Sequence, residues 1–150
     1  MSKAGSLVQQ AKQWASYYGK YANGPEGAVI TVPLRIRAAW DRQDADAFAS
    51  IFVENGSFII GDDTLTNPDE IRDYVKELFA GPASGTRFHE EALEIRLLDE
   101  NVAVAIMQGG VLMDGESEPA RTRTHRSVYL TVKRDGDWRL LSLQTNPIGG

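Results

Sequence analysis

The stretch from Arg121 to Asn146 reads R-T-R-T-H-R-S-V-Y-L-T-V-K-R-D-G-D-W-R-L-L-S-L-Q-T-N. Two runs rich in Val, Tyr, Thr, Leu and Trp flank Asp135-Gly136. Both central residues of a type I′ turn need positive φ, which an Asp-Gly pair adopts at low cost, so the stretch predicts a long β-hairpin. Its far ends carry polar groups that strands do not need in order to form. These are Arg123, His125 and Arg126 on one arm and Gln144, Thr145 and Asn146 on the other. A ligand site is expected to draw part of its lining from them.

Immediately upstream, Phe88–Leu98 and Val102–Met113 read as two more long strands around Asp99-Glu100-Asn101, joined to the hairpin by the loop Asp114–Pro119. Before them the pattern is mostly helical. Asn67-Pro68-Asp69-Glu70 supplies a cap, a proline at the first helical position and a glutamate at the third, predicting a helix through Ala80 that Gly81-Pro82 stops. Ser57–Ile60 and Thr64–Thr66 form a small hairpin across Gly61-Asp62-Asp63. Asp44 caps a short helix through Val53, with Asn55-Gly56 as its breaker. From Glu26 to Arg42 the apolar residues fall on one helical face, and Pro33 either kinks that helix or marks its start. Leu7, Ala11, Trp14, Tyr18 and Tyr21 draw a stripe along a further helix from about Ser6 to Tyr21, which Gly24-Pro25 ends. The division is an N-terminal helical extension over residues 1–24 and a single domain over 25–150. Helices first and an antiparallel meander after them indicate α+β, a curved sheet wrapped on helices.

Composition narrows the function classes. At 150 residues the chain suits one domain that buries roughly 70% of the surface its unfolded form exposes. A net charge of −5 with no basic cluster argues against nucleic acid as a partner. Zero cysteines exclude disulfides, thiolate nucleophiles and Cys-based metal sites. No stretch approaches the ~18 apolar residues of a spanning helix and the N-terminus lacks a signal-like apolar run, so the expectation is a cytoplasmic protein without membrane contact. Two histidines thirty-six residues apart have no metal-ligand spacing, and phosphate-loop and dinucleotide patterns are missing; no cofactor and no metal are expected.

Three motifs carry a family resemblance: A-W-D-R-Q-D-A-D-A-F-A-S-I-F-V-E-N-G-S-F at 39–58, N-P-D-E-I-R-D-Y-V at 67–75 and D-G-D-W-R-L-L-S-L-Q-T-N at 135–146. In order and spacing, the chain over about 28–147 resembles the nuclear-transport-factor-2-like superfamily, its SnoaL-like branch and the SgcJ/EcaC subfamily. The resemblance implies a cone-shaped fold of three helices over a strongly bent antiparallel sheet, a deep pocket between them, and homodimers through the sheet's outer face. It further implies bacterial polyketide or enediyne biosynthesis, with a hydrophobic polyketide-like small molecule as ligand and a polyketide synthase or thioesterase as a possible partner. Ketosteroid-isomerase relatives carry a base Asp on the strand behind a motif that Phe52-Val53-Glu54-Asn55-Gly56 matches, but Ser57–Ile60 holds no carboxylate and Ile60 stands where that base is expected. Their helix tyrosine is also missing, since residues 30–40 contain none.

The catalytic candidates are therefore His89 and His125, whose imidazoles can exchange protons near neutral pH. His89 and Glu91 share parity with Leu93, Ile95 and Leu97, which predicts that all five face inward. On Arg121–Arg134, parity sets Arg126 with Val128 and Leu130, and His125 with Ser127 and Tyr129; either face can meet the ligand. Trp40, Phe58, Tyr74 and Tyr129 are candidate pocket wall, with core packing the plainer account. Glu91, Gln108, Arg126, Gln144 and Asn146 are candidate polar contacts, with solvated strand ends the plainer account. Two functions follow. One is a non-catalytic accessory protein that binds a polyene-like intermediate; the other is a cofactor-free cyclase or isomerase in which a histidine moves a proton.

Overall fold

The computed structural model describes Leu7 and residues 24–148. Apart from Leu7, the helix expected over Ser6–Tyr21 lies outside the described residues. Helix α1 (Pro25–Asp41) begins with Pro25 in its first turn and runs on through Pro33, so that proline neither starts nor ends it. It is buried nearly throughout, along Val29, Ile30, Val32, Leu34, Ile36 and Ala39. Asp44 caps α2 (Ala45–Ser50), its side chain accepting from the Ala47 amide at 3.0 Å. That helix ends three residues before the expected Val53. The Leu140 amide takes the Ile51 carbonyl at 3.0 Å, and the Arg139 guanidinium takes the carbonyls of Ser50 and Phe52 at 2.7 and 2.9 Å, drawing the chain into the sheet.

Strand β1 (Phe52–Ile60) thus starts five residues earlier than expected and contains the Asn55-Gly56 breaker. Its ladder shifts register between Phe52 and Ser57, and a Cβ at Gly56 would stand 2.9 Å from the Val53 carbonyl, so glycine permits the fold-back. After β2 (Asp63–Leu65), helix α3 (Pro68–Ala80) is capped as expected, Asn67 Oδ1 accepting from the Glu70 amide at 2.9 Å. Four long strands follow: β3 (Arg87–Leu97), β4 (Val102–Leu112), β5 (Thr124–Arg134) and β6 (Asp137–Pro147). Asp135 and Gly136 carry φ of 52° and 78°, the turn the sequence demands.

The sheet order is β2-β1-β6-β5-β4-β3. One expectation needs correction: the sheet is mixed, because β1 pairs with β6 in parallel, Phe58 opposite Leu143. The chain leaves β2 for α3 and re-enters at the opposite edge, so β1 and β6 meet as neighbours with no hairpin to force them antiparallel. The three helices lie against one face. Between the layers sit Phe48, Phe52 and Phe58, with ring centroids 5.7–6.2 Å apart, and Trp40 edge-on to Phe79 at 5.2 Å. Burying each such ring contributes on the order of 2–3 kcal/mol.

Candidate functional site

The inner face of the sheet is mostly apolar, built from Ala103, Ala105 and Met107 of β4, Leu140 and Leu143 of β6 and Phe58 of β1. A polar group interrupts it. Tyr129 on β5 is 0% exposed, and its hydroxyl donates to the Oε1 of Glu90 on β3, itself 4% exposed. The buried Ser127 hydroxyl stands beside the same carboxyl. Burial disfavours the charged form and pushes Glu90 up to about 7, against the opposing pull of the Tyr129 and Ser127 hydrogen bonds. Tyr129 is driven well above its ordinary value by burial first and the Glu90 charge second. A carboxyl that titrates near neutrality can give or take a proton, and in its neutral form can donate to a carbonyl oxygen.

A bulge accounts for the inward Glu90. The β3–β4 ladder shifts register between Ala92 and Glu94, leaving Leu93 outside the pairing and 49% exposed. Ile95 and Leu97 pack against the core behind it, and Phe88, Glu90 and Ala92 point the same way ahead of it. The expectation that His89 and Glu91 face inward with Ile95 is therefore wrong, because alternation carried across a bulge changes sign. His89 and Glu91 lie on the outer face, Nε2 and Oε1 3.8 Å apart and the Glu91 side chain 78% exposed.

The remaining candidates separate by face. Gln108 and Arg126 are opposite one another on β4 and β5, the Arg126 guanidinium donating to Gln108 Oε1 at 3.2 Å. Asn146 pairs with Arg126 and Gln144 with Val128, both exposed on that side. His89, Glu91, Gln108, Glu118 and Thr124 line a cleft of about 240 Å³ there. His125, half-buried, shares parity with Ser127 and Tyr129 on the inner face and stands opposite Gly109, which separates it from Glu90. Trp40 is core, its Nε1 donating to Thr86 Oγ1 at 3.0 Å, and Phe58 belongs to the phenylalanine cluster. Tyr74 is half-buried on α3 with its hydroxyl bonded to Asp63. No single site gathers all of these side chains. The inner face holds His125 and Tyr129 together with Glu90 and Ser127, neither of them a candidate site residue from the sequence; only the shared parity of His125, Ser127 and Tyr129 hinted at that polar interior.

Among the described residues no three His, Asp or Glu stand together as metal ligands, and no helix is long and apolar enough to cross a membrane. Three helices against one face of a six-stranded mixed sheet, with a polar group set into the enclosed face, define an α+β domain of the kind that holds a small molecule or isomerises one. Residues 29–145 match the SnoaL-like domain, and the chain belongs to that family. No curated protein matches it. Among solved structures it is similar to a domain of unknown function with a cystatin-like fold from Nostoc punctiforme, 23% identical, TM-score 0.72, over 79% of this chain and 74% of that one. It is also similar to an NTF-2-like protein of unknown function from Shewanella oneidensis (19% identical, TM-score 0.66, covering 81% and 98%). A ketosteroid isomerase-like protein from Erwinia carotovora atroseptica matches at 17% identity and TM-score 0.65, covering 82% and 95%. At these identities the likeness is one of fold.

Proposed function

We propose that this protein binds a hydrophobic, oxygen-bearing small molecule of the polyketide or polyene kind in natural-product biosynthesis, holding it against the inner sheet face without transforming it. The observation that carries this reading is the Glu90–Tyr129–Ser127 group on an apolar wall: a single polar anchor suits a ligand with one or two oxygens on a hydrocarbon frame. The carboxylate and the helix tyrosine that ketosteroid-isomerase relatives use are missing from Ser57–Ile60 and from residues 30–40, which argues for holding rather than turnover. A homodimer forms through the outer face, where Val104, Ile106, Val128 and Leu130 are half-buried in one protomer. A synthase or thioesterase is the partner that would deliver such a ligand.

A second reading, a cofactor-free isomerase or cyclase, is favoured by one observation: the Glu90 carboxyl, poised at about 7, shares a face with His125. Here His125 or Glu90 takes a proton beside a carbonyl and Tyr129 donates to the developing enolate. The experiment mixes purified protein with a conjugated polyene ketone and follows fluorescence and product mass. Saturable binding with no new product, in wild type and in His125→Ala alike, supports the holding function. A product that disappears in Glu90→Gln and His125→Ala overturns it in favour of catalysis.

A further inference from the structure

Arg35 and Arg139 meet in a second cavity, away from the inner sheet face. It lies between the middle of α1, the C-terminal end of α2 and the first residues of β6, and encloses about 310 Å³ lined by Leu7, Arg35, Ser50, Ile51, Asp137 and Arg139. Arg35 is 5% exposed. One of its terminal nitrogens donates to the Trp138 carbonyl, the other stands 3.6 Å from Asp137 Oδ2, and its Nε is buried with no hydrogen-bond partner among the described residues. Arg139 uses one terminal nitrogen on the Ser50 and Phe52 carbonyls, which leaves the other three of a guanidinium's five donors. Its other flank borders a separate cleft where Asp46, Glu54 and Asp69 are accompanied by Arg72.

A buried donor without a partner is left uncompensated for the water it lost, and a second cation facing the same space adds repulsion. Asp137 compensates poorly, since its side chain is 56% exposed and most of its field is spent in water. The three side chains sum to one positive charge. A monoanion cancels that charge, whereas a dianion such as phosphate overshoots it. Guanidinium forks match the two oxygens of a carboxylate, and Leu7 and Ile51 give its tail an apolar wall.

The geometry points to a carboxylate-binding site in this cavity, in which Arg35 and Arg139 clamp a small organic carboxylate and Asp137 is the built-in competitor for Arg35. The assignment is independent of what the inner face holds. Asp137 partly occupies Arg35 in the empty protein, so a ligand must displace it, and removing that competitor strengthens binding.

The test is calorimetric titration of the full chain with hexanoate, with hexanamide as a neutral isostere, and with inorganic phosphate. Hexanoate is expected to bind saturably and at least tenfold more tightly than hexanamide or phosphate. Arg139→Met is expected to weaken hexanoate at least tenfold, and Asp137→Asn to tighten it severalfold. A merely structural Arg35–Asp137 pair predicts the opposite sign for Asp137→Asn. No saturable hexanoate binding, equal affinity for the amide, preference for phosphate, or weakening in Asp137→Asn each overturns the proposal. Both variants leave Arg35 in place; because Arg139→Met also gives up the bonds to the Ser50 and Phe52 carbonyls, its fold is checked by circular dichroism, and the sign of the Asp137→Asn effect decides the proposal without it.

Discussion

The Tyr129 hydroxyl reaches across β4 to the Glu90 carboxyl, tying the fifth strand to the third beneath the helical layer. Met107 and Ala105 of β4 are fully buried on the same face, and neither partner of the bond is more than 4% exposed. Its consequences are electrostatic and can be measured without knowing the ligand.

Glu90 makes stability depend on pH. Its folded value is raised from 4.5 to about 7, so the native state holds a proton that the unfolded state has lost across that window. Stability therefore falls as pH rises from about 4.5 to 7 and levels off above, by on the order of 3 kcal/mol at 1.36 kcal/mol per unit. Glu90→Gln lacks this limb. Urea unfolding at pH 5 and pH 8 should show the variant gaining on wild type by most of that amount; parallel behaviour would mean that Glu90 is solvated or already ionised.

Tyr129→Phe removes the donor and nothing else of the ring's volume. The hydrogen bond favours the ionised carboxylate, so without it Glu90 rises further and the declining limb extends to higher pH. The cost is about 1–3 kcal/mol, larger at pH 8 than at pH 5. A double-mutant cycle with Glu90→Gln isolates the coupling, and equal costs in both backgrounds would deny it.

Why the sequence disclosed the hairpin and concealed this acid follows from where each signal resides. Asp135-Gly136 and Asn67-Pro68-Asp69-Glu70 act locally, through φ at two residues and amides within one turn, and both turned out as read. The position of Glu90 depends on a bulge at Leu93, set by how β3 pairs with β4, and nothing in the alternation of Phe88–Leu98 marks the extra residue. The parallel β1–β6 pairing is likewise a long-range fact, joining residues more than eighty positions apart. Trp40 and Phe58 were legible as buried aromatics, but the same apolar signal serves a pocket wall and a core. The Arg35 contacts with Asp137 and Trp138 span the domain and leave no trace in composition.

Gly109 and Gly110 interrupt a strand that otherwise has every reason to carry β-branched residues. A Cβ at Gly109 would stand 2.0 Å from the His89 carbonyl oxygen, and one at Gly110 would stand 1.9 Å from the Arg123 carbonyl oxygen. Backbone atoms cannot turn aside as side chains do, so Gly109→Ala is expected to cost about 3 kcal/mol and to loosen β3 from β4. Gly136→Ala is the contrast: nothing lies within 4 Å, yet φ is +78°, and the strain is about 1 kcal/mol. Thermal unfolding of the two variants should rank them in that order, and equal losses would show that φ rather than close approach governs both sites.

Ile106 and Val128 pair across β4 and β5 on the face turned away from the helices, next to Val104 and Leu130. In one protomer all four are half-buried, flanked by Glu94 and Arg96 on one side and Ser142 and Gln144 on the other. An apolar centre within a polar rim is the anatomy of a protein interface. Ile106→Lys sets an ammonium in that centre, where pairing two copies strips it of water at a cost of several kcal/mol that its neighbour Glu94, already paired with Arg96, offsets poorly. Light scattering should find wild type at twice the protomer mass and Ile106→Lys at the single mass, with circular dichroism unchanged. Leu98→Lys, at a position already 57% exposed beyond the end of β3, should leave the dimer intact. A wild-type monomer at high micromolar concentration would remove the partner from the proposed function and leave the outer cleft around His89 and Gln108 open to solvent.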